Sequence, residues 1–184
     1  MDEVRLTRLD GAGVRERFEE IQAVYVVAFP GHDLADHRAR TMRQASSSGF
    51  EAVIACTAEG RLVGFVYGLP LSPASTWWEG LEPAAPEEFT RESGTRTVAV
   101  IDLAVLPSHR GRGLGRRLLE EFLSGRREER ATLATDPEQQ SVQEMYERWG
   151  WRKVGRVPGA PGETLPAFDL YVKPLRSWPA GSGR

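Results

Sequence analysis

Apolar and polar positions recur with two different periods along this chain, and each change of period marks an element. Glu3–Leu9 alternates and predicts an opening strand. From Val14 to Phe29 the residues Phe18, Ile21, Val24 or Tyr25, and Ala28 return at helical spacing, and Pro30-Gly31 breaks the run. Asp33 is placed to cap a second helix that reaches about Gln44. Phe50–Thr57 and Arg61–Gly68 predict two strands joined by Ala58-Glu-Gly60. Residues 69–94 carry Pro70, Pro73, Pro83 and Pro86 and read as an extended loop, with a short helix near Glu87. Thr95–Val105 is the central strand. Gly111–Arg127 follows as a helix whose apolar stripe is Leu114, Leu118, Phe122 and Leu123.

The remaining elements are short. Ala131–Thr135 predicts a strand, and Asp136-Pro-Glu-Gln139 a helix start with Asp at the N-cap and Pro at the first position. Gly150 closes that helix as a left-handed residue. Trp151–Val157 and Ala167–Val172 are the last two strands. The order of elements predicts one α/β domain over 1–176, followed by a small, Pro/Gly-rich flexible tail over 177–184. No repeat and no linker divides the chain.

Composition narrows the class. A chain of 184 residues with 40% hydrophobic and 27% charged residues has the make-up of one soluble domain. The formal net charge of −2 gives no basic field for nucleic acid, so positive charge matters only where it is local, at 110–117 and 126–130. Cys56 is the single cysteine, which excludes an intramolecular disulfide and a thiolate metal cluster. His32, His37 and His109 are too dispersed to predict a metal site. No apolar run is long enough to span a membrane, and Met-Asp-Glu-Val-Arg lacks the features of a secretory signal. A cytoplasmic protein is the expectation.

The chemistry concentrates in Val100-Ile-Asp-Leu-Ala-Val-Leu-Pro-Ser-His-Arg-Gly-Arg-Gly-Leu-Gly-Arg-Arg-Leu-Leu119. An apolar strand feeds a basic turn with glycines at 111, 113 and 115, and a helix follows. Unpaired amides of a first helical turn and the helix dipole favour an anion, and glycine lets it approach the main chain. Arg110, Arg112, Arg116 and Arg117 add charge. A structural connection, a P-loop and a dinucleotide turn compete for this pattern. The P-loop run Gly-x-x-x-x-Gly-Lys-Ser/Thr does not occur, and Arg116 stands where the dinucleotide turn needs its third glycine. Asp136 could hold a ribose hydroxyl, but its place at a helix start explains it locally.

Arg110-Gly-Arg-Gly-Leu-Gly115 resembles the Arg/Gln-x-x-Gly-x-Gly/Ala signature of the GNAT superfamily of acetyl-CoA-dependent N-acetyltransferases. Leu103-Ala-Val-Leu-Pro107 resembles the strand that precedes it there, and Met145-Tyr-Glu-Arg-Trp-Gly-Trp151 is similar to the family's Leu-Tyr-x-x-x-Gly-Phe segment. The resemblance covers about Val98–Val157. It implies a mixed, mostly antiparallel central sheet of about seven strands flanked by about four helices. It also implies transfer of an acetyl group from acetyl-CoA to a primary amine of a small molecule or peptide, without a metal. An acyl-CoA-binding regulatory domain without catalysis is the alternative. Homodimers are common in the superfamily, which carries the same expectation here.

By this resemblance, the backbone of Leu103, Ala104 and Val105 pairs with the pantetheine arm. Arg110, Gly111, Arg112, Gly113, Leu114, Gly115 and Arg116 surround the pyrophosphate. Tyr146 aligns with the family's general acid for the leaving thiolate, although a tyrosine in the stripe Val142, Met145, Tyr146, Trp149 is equally a core residue. The family often carries Asn seven residues before that tyrosine; here the amide is Gln139. Asp102, just ahead of the pantetheine segment, is the candidate general base, with Glu79, His32 and Asp33 as alternatives. The acceptor is expected to meet Phe29–Asp33, including His32 and Asp33, together with the loop Val157–Pro166 and Trp77, Trp78 and Glu79. Adjacent tryptophans in a loop line a pocket, an interface or the edge of a core.

Overall fold

The computed structural model describes residues 3–176, so the tail expected over 177–184 lies outside the described residues. Its strands are β1 (Arg5–Leu9), β2 (Glu51–Cys56), β3 (Leu62–Pro70), β4 (Thr97–Val105), β5 (Arg130–Thr135), β6 (Arg152–Pro158) and β7 (Ala167–Pro174). The helices are α1 (Gly11–Glu16), α2 (Phe18–Ala28), α3 (Leu34–Gln44), α4 (Glu87–Thr90), α5 (Leu114–Ser124) and α6 (Gln140–Arg148), with a 3₁₀ turn at Pro107–His109. The strands form a mixed, mostly antiparallel sheet in the order β1-β2-β3-β4-β5-β7-β6. The chain divides into two compact units, Met1–Leu69 with Val100–Gly125 and Pro70–Ala99 with Arg126–Arg184.

In the first unit β2 and β3 are buried along almost their whole length. This is why both read as continuous apolar runs rather than as alternation. The segment expected as one helix over Val14–Phe29 is two. Asp10 caps α1 by accepting from the Gly13 amide at 2.9 Å, and the chain bends at Arg17 before α2 begins. The bend has a packing reason: α1 lies on β1 and β2, whereas α2 turns to meet α3. Gly11 lets the start of α1 approach the C-terminal end of α3, since a Cβ there would stand 1.8 Å from the Ala45 carbonyl oxygen. Asp33 caps α3 through the Ala35 and Asp36 amides at 2.8 and 3.1 Å, as expected. The buried stripe of α5 is Leu114, Leu118, Leu119 and Phe122; Leu119 takes the place expected of Leu123.

In the second unit β5 pairs antiparallel with β7, and β7 with β6. The parallel ladder of β4 with β5 holds three pairs, Thr97 with Arg130, Val98 with Ala131 and Ala99 with Thr132. Two charge clusters, each built around a buried carboxylate, fix this unit. Arg130 donates to Glu92 at 3.0 Å and to Thr97 at 2.8 Å, and its guanidinium lies over the rings of Phe89 and Trp78 at 4.4 and 5.0 Å. Asp169 on β7 accepts from Arg156 and Lys153, each at 2.7 Å, and from Gln143 at 2.8 Å. Asp136 departs from expectation. It closes a turn by accepting from the Glu138 amide at 2.9 Å, and α6 starts only at Gln140 with Gln139 as its cap. Gly150 ends α6 at φ +87°, as the sequence predicts.

Candidate functional site

The glycine turn lies in the first unit, between β4 and α5. Gly111 and Gly113 sit at φ +73° and +75°, left-handed conformations that L side chains adopt only at a cost. A Cβ added at either meets no atom within 4 Å, so the space beside both glycines is open. The first intrahelical bond of α5 runs from the Arg117 amide to the Gly113 carbonyl at 3.0 Å. The amides of Leu114, Gly115 and Arg116 therefore lie ahead of the ladder, and no side chain caps them. Arg110 turns back and donates from Nε to the Val105 carbonyl at 2.9 Å, which ties the turn to the end of β4. Arg116 pairs with Glu120 at 2.7 Å on the surface, and Arg112 is exposed. Backbone donors and the helix dipole thus meet at an open turn in a segment rich in arginine, a combination suited to a diphosphate.

Asp102 is also in this unit, on β4, and is buried. Its Oδ2 accepts the Tyr67 hydroxyl from β3 and lies 3.4 Å from Arg40 Nη2 and 3.8 Å from His37 Nε2, both on α3. Thr41 Oγ1 stands 3.1 Å and His37 Nε2 3.3 Å from the Tyr67 oxygen. Burial lowers the His37 imidazole to about 4, with Asp102 opposing and Arg40 and His32 assisting, so the ring is neutral near pH 7. Burial and the adjoining Asp102 likewise push the Tyr67 phenol well up. Sequence reasoning named Asp102 alone from this cluster. The missed signal was polar residues on buried faces: Tyr67 within an apolar strand, and His37 with Thr41 one helical turn apart.

Other first-unit candidates have structural duties. Asp33 Oδ1 is engaged as the α3 cap. His32 is half-buried, with Nδ1 3.4 Å from the Tyr25 hydroxyl.

The second unit holds Tyr146 on α6. Its ring is buried edge-on against Trp149 and Trp151, with centroids 5.7 and 6.0 Å away. Burial alone pushes its phenol up to about 12, and its hydroxyl has no hydrogen bond among the described residues. Gln139 is exposed at the head of α6. Trp78 is buried, donates to Glu92 at 2.9 Å and underlies Arg130, so its indole belongs to the interior of this unit. Trp77 is half-buried and donates to Thr132 at 3.1 Å, whereas Glu79 is exposed on a turn.

A sequence model of the acetyltransferase (GNAT) family matches residues 16–151. The chain is 30% identical over 104 residues to the GCN5-like protein acetyltransferase Rv2170 of Mycobacterium tuberculosis, a match covering 52% of this chain and 50% of that protein. It thus spans about half the length of that relative. Among solved structures, a GNAT-family acetyltransferase from Staphylococcus aureus Mu50 superposes with a TM-score of 0.68 at 15% identity, over 95% of this chain and all of that one. NAA60 of Arabidopsis thaliana, solved with acetyl-CoA, gives 0.63 at 16% identity, over 93% of this chain and 98% of that one. These structural likenesses concern the fold.

Proposed function

Because the chain belongs to the acetyltransferase (GNAT) family, we propose that it moves an acetyl group from acetyl-CoA to a primary amine of a small molecule or peptide, by direct attack in a ternary complex. The observation that carries this reading is the uncapped turn at the head of α5. There the left-handed Gly111 and Gly113 open the backbone, and amides 114–116 lie ahead of the helical ladder. The residues present fit a coenzyme diphosphate. Those amides supply the donors, with Arg112 and Arg116 beside them, and Arg110 holds the turn on β4. Leu103, Ala104 and Val105 follow the three-pair ladder of β4, and their main chain is assigned to the pantetheine arm. Gln139 is assigned to the same arm from the head of α6.

The chemistry asks for a proton acceptor and a proton donor. The acceptor amine arrives largely as an ammonium and must lose a proton before its nitrogen can attack. Asp102 is assigned that proton. The C–N bond then forms as the C–S bond breaks, the nitrogen's second proton leaves to solvent, and the Tyr146 hydroxyl gives its proton to the departing sulfur. A phenol pushed up to about 12 stays protonated across the neutral range, which a general acid requires. Solvent exchange returns both side chains to their starting states. His32 remains assigned to the acceptor, whereas Asp33 acts through the cap that sets the start of α3. Trp77 and Glu79 are assigned to the acceptor side from the second unit, and Trp78 supports them from the interior.

Thermal unfolding tests the coenzyme assignment directly. A ligand at a hundred times its dissociation constant stabilises the fold by about 2.7 kcal/mol, a rise in Tm of roughly 5–10 °C for a chain of this size. Acetyl-CoA and CoA should each produce it, and NADH should not. A folded sample that shifts with neither CoA species would remove the diphosphate from the glycine turn.

A further inference from the structure

The carboxylate of Asp102 is held in an asymmetric way. Every polar contact it makes among the described residues falls on Oδ2: the Tyr67 hydroxyl, Arg40 Nη2 at 3.4 Å and His37 Nε2 at 3.8 Å. Oδ1 receives none of them. The Tyr67 hydroxyl has one proton, and it is directed to the carboxylate, an acceptor with nothing to donate. Thr41 at 3.1 Å and His37 Nε2 at 3.3 Å must then act as donors toward the tyrosine oxygen. This fixes the imidazole proton on Nε2 and leaves Nδ1 as the acceptor, and the Gln22 amide nitrogen stands 3.4 Å from Nδ1. The ring cannot easily turn away. Tyr25 stacks on it at 3.6 Å and 10°, and Phe18 covers it at 5.6 Å. Four elements therefore supply one directional chain, Gln22 to His37 to Tyr67 to Asp102, with Thr41 donating from the side.

We propose that Tyr67, seated by His37 and Thr41, is a positioning residue for Asp102: it occupies Oδ2 and so presents Oδ1 as the oxygen that takes the proton from the amine. The inference rests on the assignment of Asp102 as the base. Tyr67, His37 and Thr41 touch no reacting atom and act only through the carboxylate. Arg40 sets the charge beside Oδ2, while Tyr25, His32 and Asp36 are other titratable groups with a field at this cluster. A tyrosine of purely structural value would give the same packing without any fixed order of donors. The order of donors is therefore what has to be measured.

Two readouts decide it. The first needs no substrate: ¹⁵N spectra of the histidine rings should show His37 protonated on Nε2 alone at pH 7, and Tyr67→Phe should disturb that signal. His37 protonated on Nδ1, or doubly protonated, would overturn the inference. The second is turnover of acetyl-CoA with spermidine, tyramine and a peptide bearing a free N-terminus as probe amines. Tyr67→Phe should lower kcat about tenfold with KM for acetyl-CoA unchanged. Tyr171→Phe removes a hydroxyl of the second unit that donates to Glu147 and takes no part in the cluster's hydrogen bonds, and should change neither kcat nor KM. Thr41→Val, nearly isosteric, should repeat the Tyr67→Phe effect at smaller size and serves if that variant does not fold. Loss of turnover in Asp102→Asn with none in Tyr67→Phe or Thr41→Val overturns the positioning role alone. Full turnover in Asp102→Asn removes the base itself, and the inference with it. If wild type turns over none of the probe amines, the ring spectra decide the donor order by themselves.

Discussion

Tyr146 and His37 are both buried, and burial acts on them in opposite ways because it always disfavours the charged form. The Tyr146 phenol is pushed up to about 12 and keeps its proton. Under the proposed acid role, Tyr146→Phe should lower kcat about a hundredfold or more while leaving the thermal shift with acetyl-CoA intact; equal turnover in the variant would remove that role from Tyr146. The His37 imidazole is lowered from 6.5 to about 4. Between those values the unfolded chain binds a proton that the folded chain refuses, so stability falls as pH drops from about 6.5 and stops falling near 4. This contribution is on the order of 3 kcal/mol. Denaturant unfolding at pH 7.5 and pH 4.5 should show a smaller loss for His37→Gln than for wild type. Tyr146 could be nominated from the sequence because it lies inside a local motif. Tyr67 was not, since it stands 35 positions from Asp102 and only the pairing of distant strands joins them. Local spacing says nothing about such a partner.

At the level of elements, the period of the apolar residues was a good guide wherever one face was buried. The buried stripe of α5 and the caps of α3 and α6 show it, through Asp33 at one end and Gly150 at the other. It failed where local chemistry had two outlets. Asp136-Pro137 suits a helix start, yet the same Asp can close a turn, and α6 begins four residues later. The charge cluster of β6 and β7 also escaped detection, because strand partners are not readable from spacing. Burial raises Asp169, but hydrogen bonds from Arg156, Lys153 and Gln143 outweigh it, and the group falls from 3.8 to about 2. A lowered carboxylate contributes stability that is present above its unfolded value and is lost as pH falls through its folded value. Lys153 and Arg156 are themselves largely exposed, so solvent reduces the term to on the order of 1–2 kcal/mol. Asp169→Asn should lose that amount at pH 7 and flatten the acid unfolding curve between about pH 4 and pH 2. An unchanged acid limb would place the acid sensitivity in other carboxylates.

At the scale of the whole chain, neither compact unit is a continuous piece of sequence. The chain passes from one to the other after Leu69, again within β4 after Ala99, and once more after Gly125. The family match from 16 to 151 accordingly includes segments of both units. The order of strands and helices could be read in advance because a local motif fixed which strand precedes the glycine turn. The three crossings could not, because they depend on which residues are near in space. They have a consequence for truncation. A chain ending at Gly125 keeps residues 70–99 but loses β5, β6 and β7, so Thr97, Val98 and Ala99 lose their ladder partners. Glu92 loses Arg130, and a buried carboxylate stripped of its cation costs about 3–5 kcal/mol. Residues 1–125 alone should therefore fail to give a cooperative unfolding transition by circular dichroism, and acetyl-CoA should not restore one even though the whole glycine turn is present. A cooperative fragment that bound CoA would show that the first unit folds with residues 70–99 as a dispensable insertion, and would move the stability of the glycine turn into that unit alone.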